Sequence, residues 1–308
     1  MVESLQVLLG GVIDYAGMYP PAQLPLNESL RNYVRYKTGK EAWIVNRFIC
    51  PAAKISELEA GLKWHPYDGR FGVCLTGRGG NDAGEFLANT LLDIKSARKM
   101  DRVFFDAFET RLPAGSLSST DLAALILRVT RGLEDDTLLY LELPFTQNWK
   151  TDMPRALDVI AKNPRARAKI RCGGATADTF PSVEQLATFI AECADRKLPF
   201  KATAGLHHPI RIYDESLQVA HHGFLNVYIA AAVAWNFNVG AADLVPILGA
   251  TEASSFRCLG TRISVGNWHL SLKQIRSARD FAVGYGSCSV NEPLADLAHL
   301  GYAMRVPV

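Results

Sequence analysis

Lysine in the middle of an apolar strand is the feature of this sequence that most directly implies chemistry. The stretch PFKATAG (199–205) alternates, so Phe200, Ala202 and Ala204 share one face and Lys201, Thr203 and Gly205 the other. Lysine is among the residues least often buried. At mid-strand it is expected to react, to bind an anion or to neutralise a buried acid. ARAKIRCGG (166–174) repeats the pattern: Ala168, Ile170 and Cys172 are apolar, leaving Lys169, Arg171 and Gly173 opposite. In TLLYLELPF (137–145), Leu139, Leu141 and Leu143 share one face, and Tyr140 and Glu142 the other. If these strands are neighbours, Glu142, Lys169 and Lys201 point into one interior. RVFFDAFE (102–109) adds Asp106, although both faces of that run are apolar.

Three chemistries fit this set. A second cation and partial burial would lower a lysine's pKa, leaving an amine that attacks a carbonyl. Glu142 or Asp106 would then move the protons of carbinolamine formation and breakdown. Alternatively the charges form a buried salt-bridge network that fills the interior. In the third reading Lys169, Arg171 and Lys201 hold a carboxylate or phosphate without covalent chemistry.

The elements that must position these residues alternate along the chain. Strands are expected at 5–13, 42–52, 70–77, 102–109, 137–145, 166–174, 199–205 and 280–289. Helices are expected between them: 26–37 capped by Asn27, 55–64, 82–98, 121–132 capped by Ser119 or Thr120, 151–162, and 183–197 capped by Ser182. A last helix follows at 291–302. Strand–helix units in this number and length predict a single (β/α)8 barrel domain over 1–308, with a doubly wound open sheet as the alternative. Residues 206–279 form a long insertion between strands 7 and 8. It carries an apolar helix at 224–237 and helical pieces near 241–248 and 270–279. An insertion after a strand's C-terminal end sits at the mouth, as a lid, a subunit interface or both.

At the lysine-bearing strands the sequence resembles the class I, Schiff-base aldolases of the deoxyribose-phosphate aldolase type. The resemblance implies a (β/α)8 barrel and a reaction that makes or breaks a carbon–carbon bond next to a carbonyl. It implies Lys169 as the covalent lysine, Lys201 as the partner that tunes it, and Asp106 as the proton-transfer acid. The run Gly-Tyr-Gly-Ser-Cys-Ser (284–289) resembles that family's phosphate-holding turn, which implicates Gly284, Gly286 and Ser287. The DYAGMYPPA and FKATAGLHHP stretches also resemble bacterial proteins with no assigned activity, a likeness that implies none.

Four of the seven histidines lie between 207 and 222. His207 and His208 follow strand 7 and are expected to act as acid–base groups at the mouth. Adjacent histidines on an extended segment point apart. One from each pair (His207 or His208, His221 or His222) with Glu142 or Asp14 would make a two-histidine, one-carboxylate metal site, but no HxH or HExxH spacing supports it. The plainer reading is that they order the insertion. The loop after strand 1 supplies Asp14 and Tyr15, with Tyr19, Pro20 and Pro21 as a rim. Arg47 binds an anionic group or pairs with Asp14.

The expected substrate is small and anionic, bearing a carboxylate or phosphate. No cofactor is required, and neither a Walker-type loop nor a GxGxxG fingerprint is present. A net charge of +2 gives no argument for nucleic acid or a membrane surface. Six scattered cysteines without a CxxC fit free thiols, and the N-terminus lacks signal-peptide order, so a cytoplasmic location is expected. The apolar helix at 224–237 suggests a homo-oligomer or a cap on the barrel. A metal-assisted lyase or hydrolase and a non-catalytic binding or assembly protein are the rival functions.

Overall fold

The structure is a computed structural model that describes residues 1–62, 71–97, 103–115 and 117–302. Eight parallel strands close into a barrel: β1 Ile13–Tyr15, β2 Val45–Pro51, β3 Phe71–Thr76, β4 Val103–Arg111, β5 Leu138–Glu142, β6 Ala166–Arg171, β7 Phe200–Thr203 and β8 Ala282–Ser287. Each strand pairs with its sequence neighbours, and β8 pairs with β1. The (β/α)8 expectation therefore holds over the open sheet.

Strand alternation divides the apolar residues into two cores. The larger lies between the barrel and its helices and includes Leu139, Leu141, Ala168, Ile170, Phe200 and Ala202. The smaller is inside: Ala16, Ile49, Cys74, Ala107 and Tyr140, with Tyr19 and Val283 packed against it. Register aligns Glu142 with Lys169 and Lys169 with Lys201, so the three inward polar residues do lie side by side.

β4 breaks the alternation. Val73 pairs with Phe105, but the next residue, Cys74, pairs with Ala107. Asp106 is thus an extra, unpaired residue, a β-bulge that resets which side chains face inward. Beyond it Ala107 and Glu109 are the inward residues, and Glu109 aligns with Tyr140.

Several local expectations are corrected. Most of 5–13 is helix, Glu3–Leu9, because Leu5, Leu8 and Leu9 recur at helical spacing and are all buried. Asn27 does not cap the next helix, Leu26–Thr38; Pro25 occupies that position without a side-chain cap. Ser118, not Ser119 or Thr120, caps Ser119–Gly132 by accepting from the Asp121 N–H. Ser182 does cap Val183–Asp195, in a reciprocal capping box with Gln185.

The segment between β7 and β8 is not only helical. It holds a hairpin (Ile212–Asp214 with Val219–His221), helices Phe224–Phe237, Ala241–Gly249 and Leu272–Arg279, and a three-stranded antiparallel sheet of Phe256–Leu259, Arg262–Val265 and Trp268–Ser271. The helix Phe224–Phe237 is buried from Phe224 to Ala234, against its own neighbours and β8. Its apolar surface is covered within the chain, so it does not by itself argue for a second copy. The same segment grips distant parts of the chain. The Ser4 N–H and Oγ donate to the carbonyls of Gly260 and Leu259, and the Tyr302 hydroxyl contacts those of Ala253 and Phe256. Among the described residues no helix is long and apolar enough to cross a membrane, and all six cysteines are free.

Asn226 is the polar exception on the apolar helix. Its Oδ1 accepts from the Arg211 N–H, and its Nδ2 donates to Ile247 and Ala250 carbonyls at 2.8 Å. Asn226→Ala leaves these groups without their partner in a dry interior. We expect it to cost about 3 kcal/mol, read as a lowered urea midpoint with an unchanged m-value.

Candidate functional site

The barrel interior is organised on one carboxylate. Glu109, from β4, lies fully buried between two ammonium groups: its Oε2 is 2.7 Å from Lys169 Nζ, and its Oε1 pairs with Lys201 Nζ. The Cys74 thiol donates to the same Oε1 at 2.9 Å. Lys201 Nζ also meets Asp14 Oδ2 at 2.5 Å, and Lys169 Nζ meets Glu142 Oε2 at 3.1 Å. The other Glu142 oxygen accepts from Arg171 Nε at 2.9 Å. Beyond Asp14, its Oδ1 accepts from the Arg47 N–H, and the Arg47 guanidinium grips Asp106 at 2.6–2.8 Å.

The result is a chain of alternating charge: Asp106, Arg47, Asp14, Lys201, Glu109, Lys169, Glu142, Arg171. Four acids balance four bases. From Asp14 to Glu142 the members are nearly dry, while the flanking residues are partly exposed: Arg47 at 17% and Asp106 at 23% on one side, Arg171 at 41% of its side-chain surface on the other. Asp106 lies toward the N-terminal end of β4 and Arg171 ends β6, so the chain crosses the barrel toward its mouth.

Protonation follows from the pairing. Burial acts to lower the Lys169 pKa, but Glu109 and Glu142 outweigh it and the pKa rises. Burial likewise opposes charge on Lys201, and Asp14 and Glu109 carry its pKa well above the ordinary lysine value. Burial pushes Glu109 and Glu142 up, yet the adjoining cations hold both below the usual carboxylate range. Burial and the Glu109 charge keep Cys74 a neutral thiol. The expectation of a lowered lysine pKa is therefore reversed. The neighbouring cation does oppose charge on Lys169, but the two acids that touch it, Glu109 and Glu142, win.

The remaining residues sort by location. Tyr140 lies inside the barrel with Lys201 Nζ 6.0 Å from its ring centre, and burial pushes its hydroxyl up to about 12. Thr203 ends β7, half-buried, opposite Arg171 on one side and Gly286 on the other. Tyr15 is not at the mouth. It points outward among Tyr36 and Phe48, because Asp14 takes the inward position on β1. Gly284 and Gly286 lie within β8 rather than in a turn, and a Cβ on Gly286 would press on Ile49 and Thr203. The Ser287 hydroxyl donates to the Ser289 carbonyl. The Tyr19 hydroxyl bonds Thr76 Oγ1, which draws the loop after β1 over the interior cluster.

The histidines do not converge. His207 and His208 face Glu292 and Asp296 on the helix Asn291–His299, at 3.1 and 2.6 Å. His221 pairs with Asp214 across the hairpin and stacks on Phe180. His222 is fully buried between the Pro181 carbonyl and Arg211, and burial lowers its pKa to about 4. Among the described residues no three His, Cys, Asp or Glu side chains are arranged to hold a metal, so the two-histidine, one-carboxylate set is not assembled. His207 and His208 tie the strand 7 loop to the last helix, away from the lysines' own hydrogen-bond partners.

Glu109 and Cys74 were missed by sequence reasoning. Both faces of β4 are apolar, so alternation there was unreadable, and the bulge at Asp106 shifts the count. The one available signal was a second acid in the same strand, three residues beyond the first.

No family model matches the chain, and no curated protein matches it significantly. Among solved structures it is similar to the deoxyribose phosphate aldolase from Aeropyrum pernix, described as having a unique tetrameric structure. The identity is 11% and the TM-score 0.49, over 96% of this chain and 97% of that one. The fold assignment rests on the closed order of the strands themselves.

The charge chain makes stability depend on pH at both ends. The depressed glutamates contribute stability that is fully present above about pH 4.3, their unfolded value, and lost as pH falls through their lower folded values. The raised lysines contribute stability that is fully present below about pH 10.4 and lost as pH rises through their higher folded values. Thermal melts should show a plateau between, with falling midpoints on each side. Glu109→Gln leaves each of the two buried ammonium groups with one acid in place of two, Asp14 for Lys201 and Glu142 for Lys169. We expect it to cost about 3–5 kcal/mol, with the acid limb flattened; an unchanged melting midpoint would contradict the charge assignment.

Proposed function

We propose that the protein is an enzyme that makes or breaks a carbon–carbon bond next to a carbonyl, through an imine on Lys169. The observation that carries this reading is the contact of the Lys169 amine with two carboxylates, Glu109 and Glu142, at 2.7 and 3.1 Å. A lysine that must shed and regain protons needs acceptors in reach. Lys169 is also the more accessible of the two lysines, at 8% of its side chain against 1% for Lys201. The resemblance of the lysine-bearing strands to class I aldolases points the same way.

The chemistry runs as follows. Lys169 gives one proton to Glu142 or Glu109. Its lone pair attacks the carbonyl carbon, and the carbonyl π pair moves to oxygen, which takes a proton to give the carbinolamine. Loss of water leaves the iminium, so an ammonium and a carbonyl become an iminium and one water. The iminium then accepts the electron pair of a bond to the adjacent carbon: if carbon–hydrogen, the proton passes to Glu142 or Glu109; if carbon–carbon, the other fragment leaves as an aldehyde while its hydroxyl gives a proton to the same carboxylate. Lys201 stays an ammonium, held by Asp14, and its charge disfavours reprotonation of the neighbouring amine. Glu142 or Glu109 would return the proton.

The raised lysine pKa values favour a second reading, a charge network that binds an anion without covalent chemistry. Borohydride trapping separates the two. With a panel of aldehydes and oxo acids, wild-type protein should gain a stable adduct on Lys169 by peptide mass spectrometry. Lys169→Ala should lose it, and Lys201→Ala should slow it at least tenfold. The amine is the reacting form, so trapping should quicken with pH across 7–9, toward about tenfold per unit. No adduct across the panel, with melting altered in both variants, would establish the network reading.

A further inference from the structure

We propose that the carbonyl substrate is a short 2-oxo acid, whose carboxylate is held by Arg171 while its carbonyl meets Lys169. The proposal rests on the imine reading above and adds a substrate class to it.

Lys169 and Arg171 are two residues apart on β6 and share its inward face, so their side chains run parallel toward the mouth. Glu142 measures the gap between their heads. Its two oxygens contact Lys169 Nζ at 3.1 Å and Arg171 Nε at 2.9 Å. The amine and the guanidinium therefore stand within the span of one carboxylate. A ligand that reacts at the amine and pairs with the guanidinium must carry its carbonyl and its anion close together. A carboxylate bonded directly to the carbonyl carbon satisfies this. A phosphate at the far end of a sugar chain does not.

Arg171 has the donors to spare. Nε is committed to Glu142 and Nη1 lies 3.4 Å from the Gly173 carbonyl, while Nη2 has no protein acceptor among the described residues. The side chain is 41% exposed, at the open end of the charge chain. The terminal edge of the guanidinium thus presents two N–H groups toward the opening, the fork that fits a carboxylate. Thr203 lies opposite Arg171 in the register and offers a half-buried hydroxyl beside it. On its far side Gly286 carries no side chain; a Cβ there would lie 3.1 Å from Thr203 Oγ1. The glycine keeps that hydroxyl uncrowded. Glu142 retains its own contacts throughout, because the substrate would use the other edge of the arginine.

The test compares two probes under borohydride, pyruvate and acetaldehyde, at matched concentrations and by intact mass. Wild-type protein should trap pyruvate in preference to acetaldehyde. In Arg171→Gln the ratio of pyruvate to acetaldehyde adduct should fall at least tenfold. Arg171→Lys keeps the charge without the fork and should give an intermediate ratio; it also reports if the glutamine variant does not fold. An unchanged ratio in a folded Arg171 variant would overturn the oxo-acid assignment and leave the imine reading standing. Absence of any adduct from either probe in wild-type protein would overturn both.

Discussion

One carboxylate shared by two buried ammonium groups is the constraint on which the interior depends. Glu109 is almost fully buried, and so is Lys201. Taking such groups out of water costs several kcal/mol each, and only close opposite charge offsets it. Alternation is what makes the arrangement tolerable. Every interior member of the chain from Asp106 to Arg171 has an opposite charge on either side, and the two end members, each with one flank free, are the most exposed. Where other barrels fill this space with layers of aliphatic side chains, here the charged layer stands beside a small apolar one of Ile49, Cys74, Ala107 and Tyr140. The same dry surroundings strengthen each contact and exclude water from it.

The two buried amines also differ in how far they are enclosed. Lys201 is clamped between Asp14 and Glu109 with almost no exposed surface. Both lysines share their acids with a further cation: Glu109 serves both, Glu142 also serves Arg171, and Asp14 also serves Arg47. The two lysines are level in the register, yet their side chains are 8% and 1% exposed. What differs is that β6 carries a further cation above its lysine, whereas β7 carries Thr203.

The architecture was legible because its signals are local. Alternation in β5, β6 and β7 is strict, with apolar residues on one face, so the sequence places Glu142, Lys169 and Lys201 in the interior. Ser182 followed by Gln185 gave a true helix start. The failures have physical reasons too. The bulge at Asp106 adds one residue to β4, which hides Glu109 from any count of two. The N-terminal leucines fit both a strand and a helix, and burial on one side by the three-stranded sheet and the helix Leu272–Arg279 decided for helix. That small sheet was itself unread because its strands are four residues each, below the length at which alternation is informative. The partners of His207 and His208 lie 85 and 88 residues away, on a helix that no local pattern connects to them, whereas His221 and His222 bond within or near the hairpin and to Pro181.

The grip of residues 253–260 on Ser4 and Tyr302 bears on how the barrel assembles. The seam between β1 and β8 joins Ile13 to Tyr285, nearly the whole length of the chain. Closing a loop of that size costs about 5 kcal/mol beyond a fixed term, and no contact across the seam rewards it until both edges are formed. The sheet between β7 and β8 supplies a foothold before that point, because it holds the first helix against the segment that leads into β8. Until the seam shuts, Asp14 is absent from Lys201, and the most buried cation lacks one of its two acids. Closing the ring therefore completes the neutralisation of Lys201, and a chain with its seam open would present an unpaired strand edge beside a buried cation short of one acid.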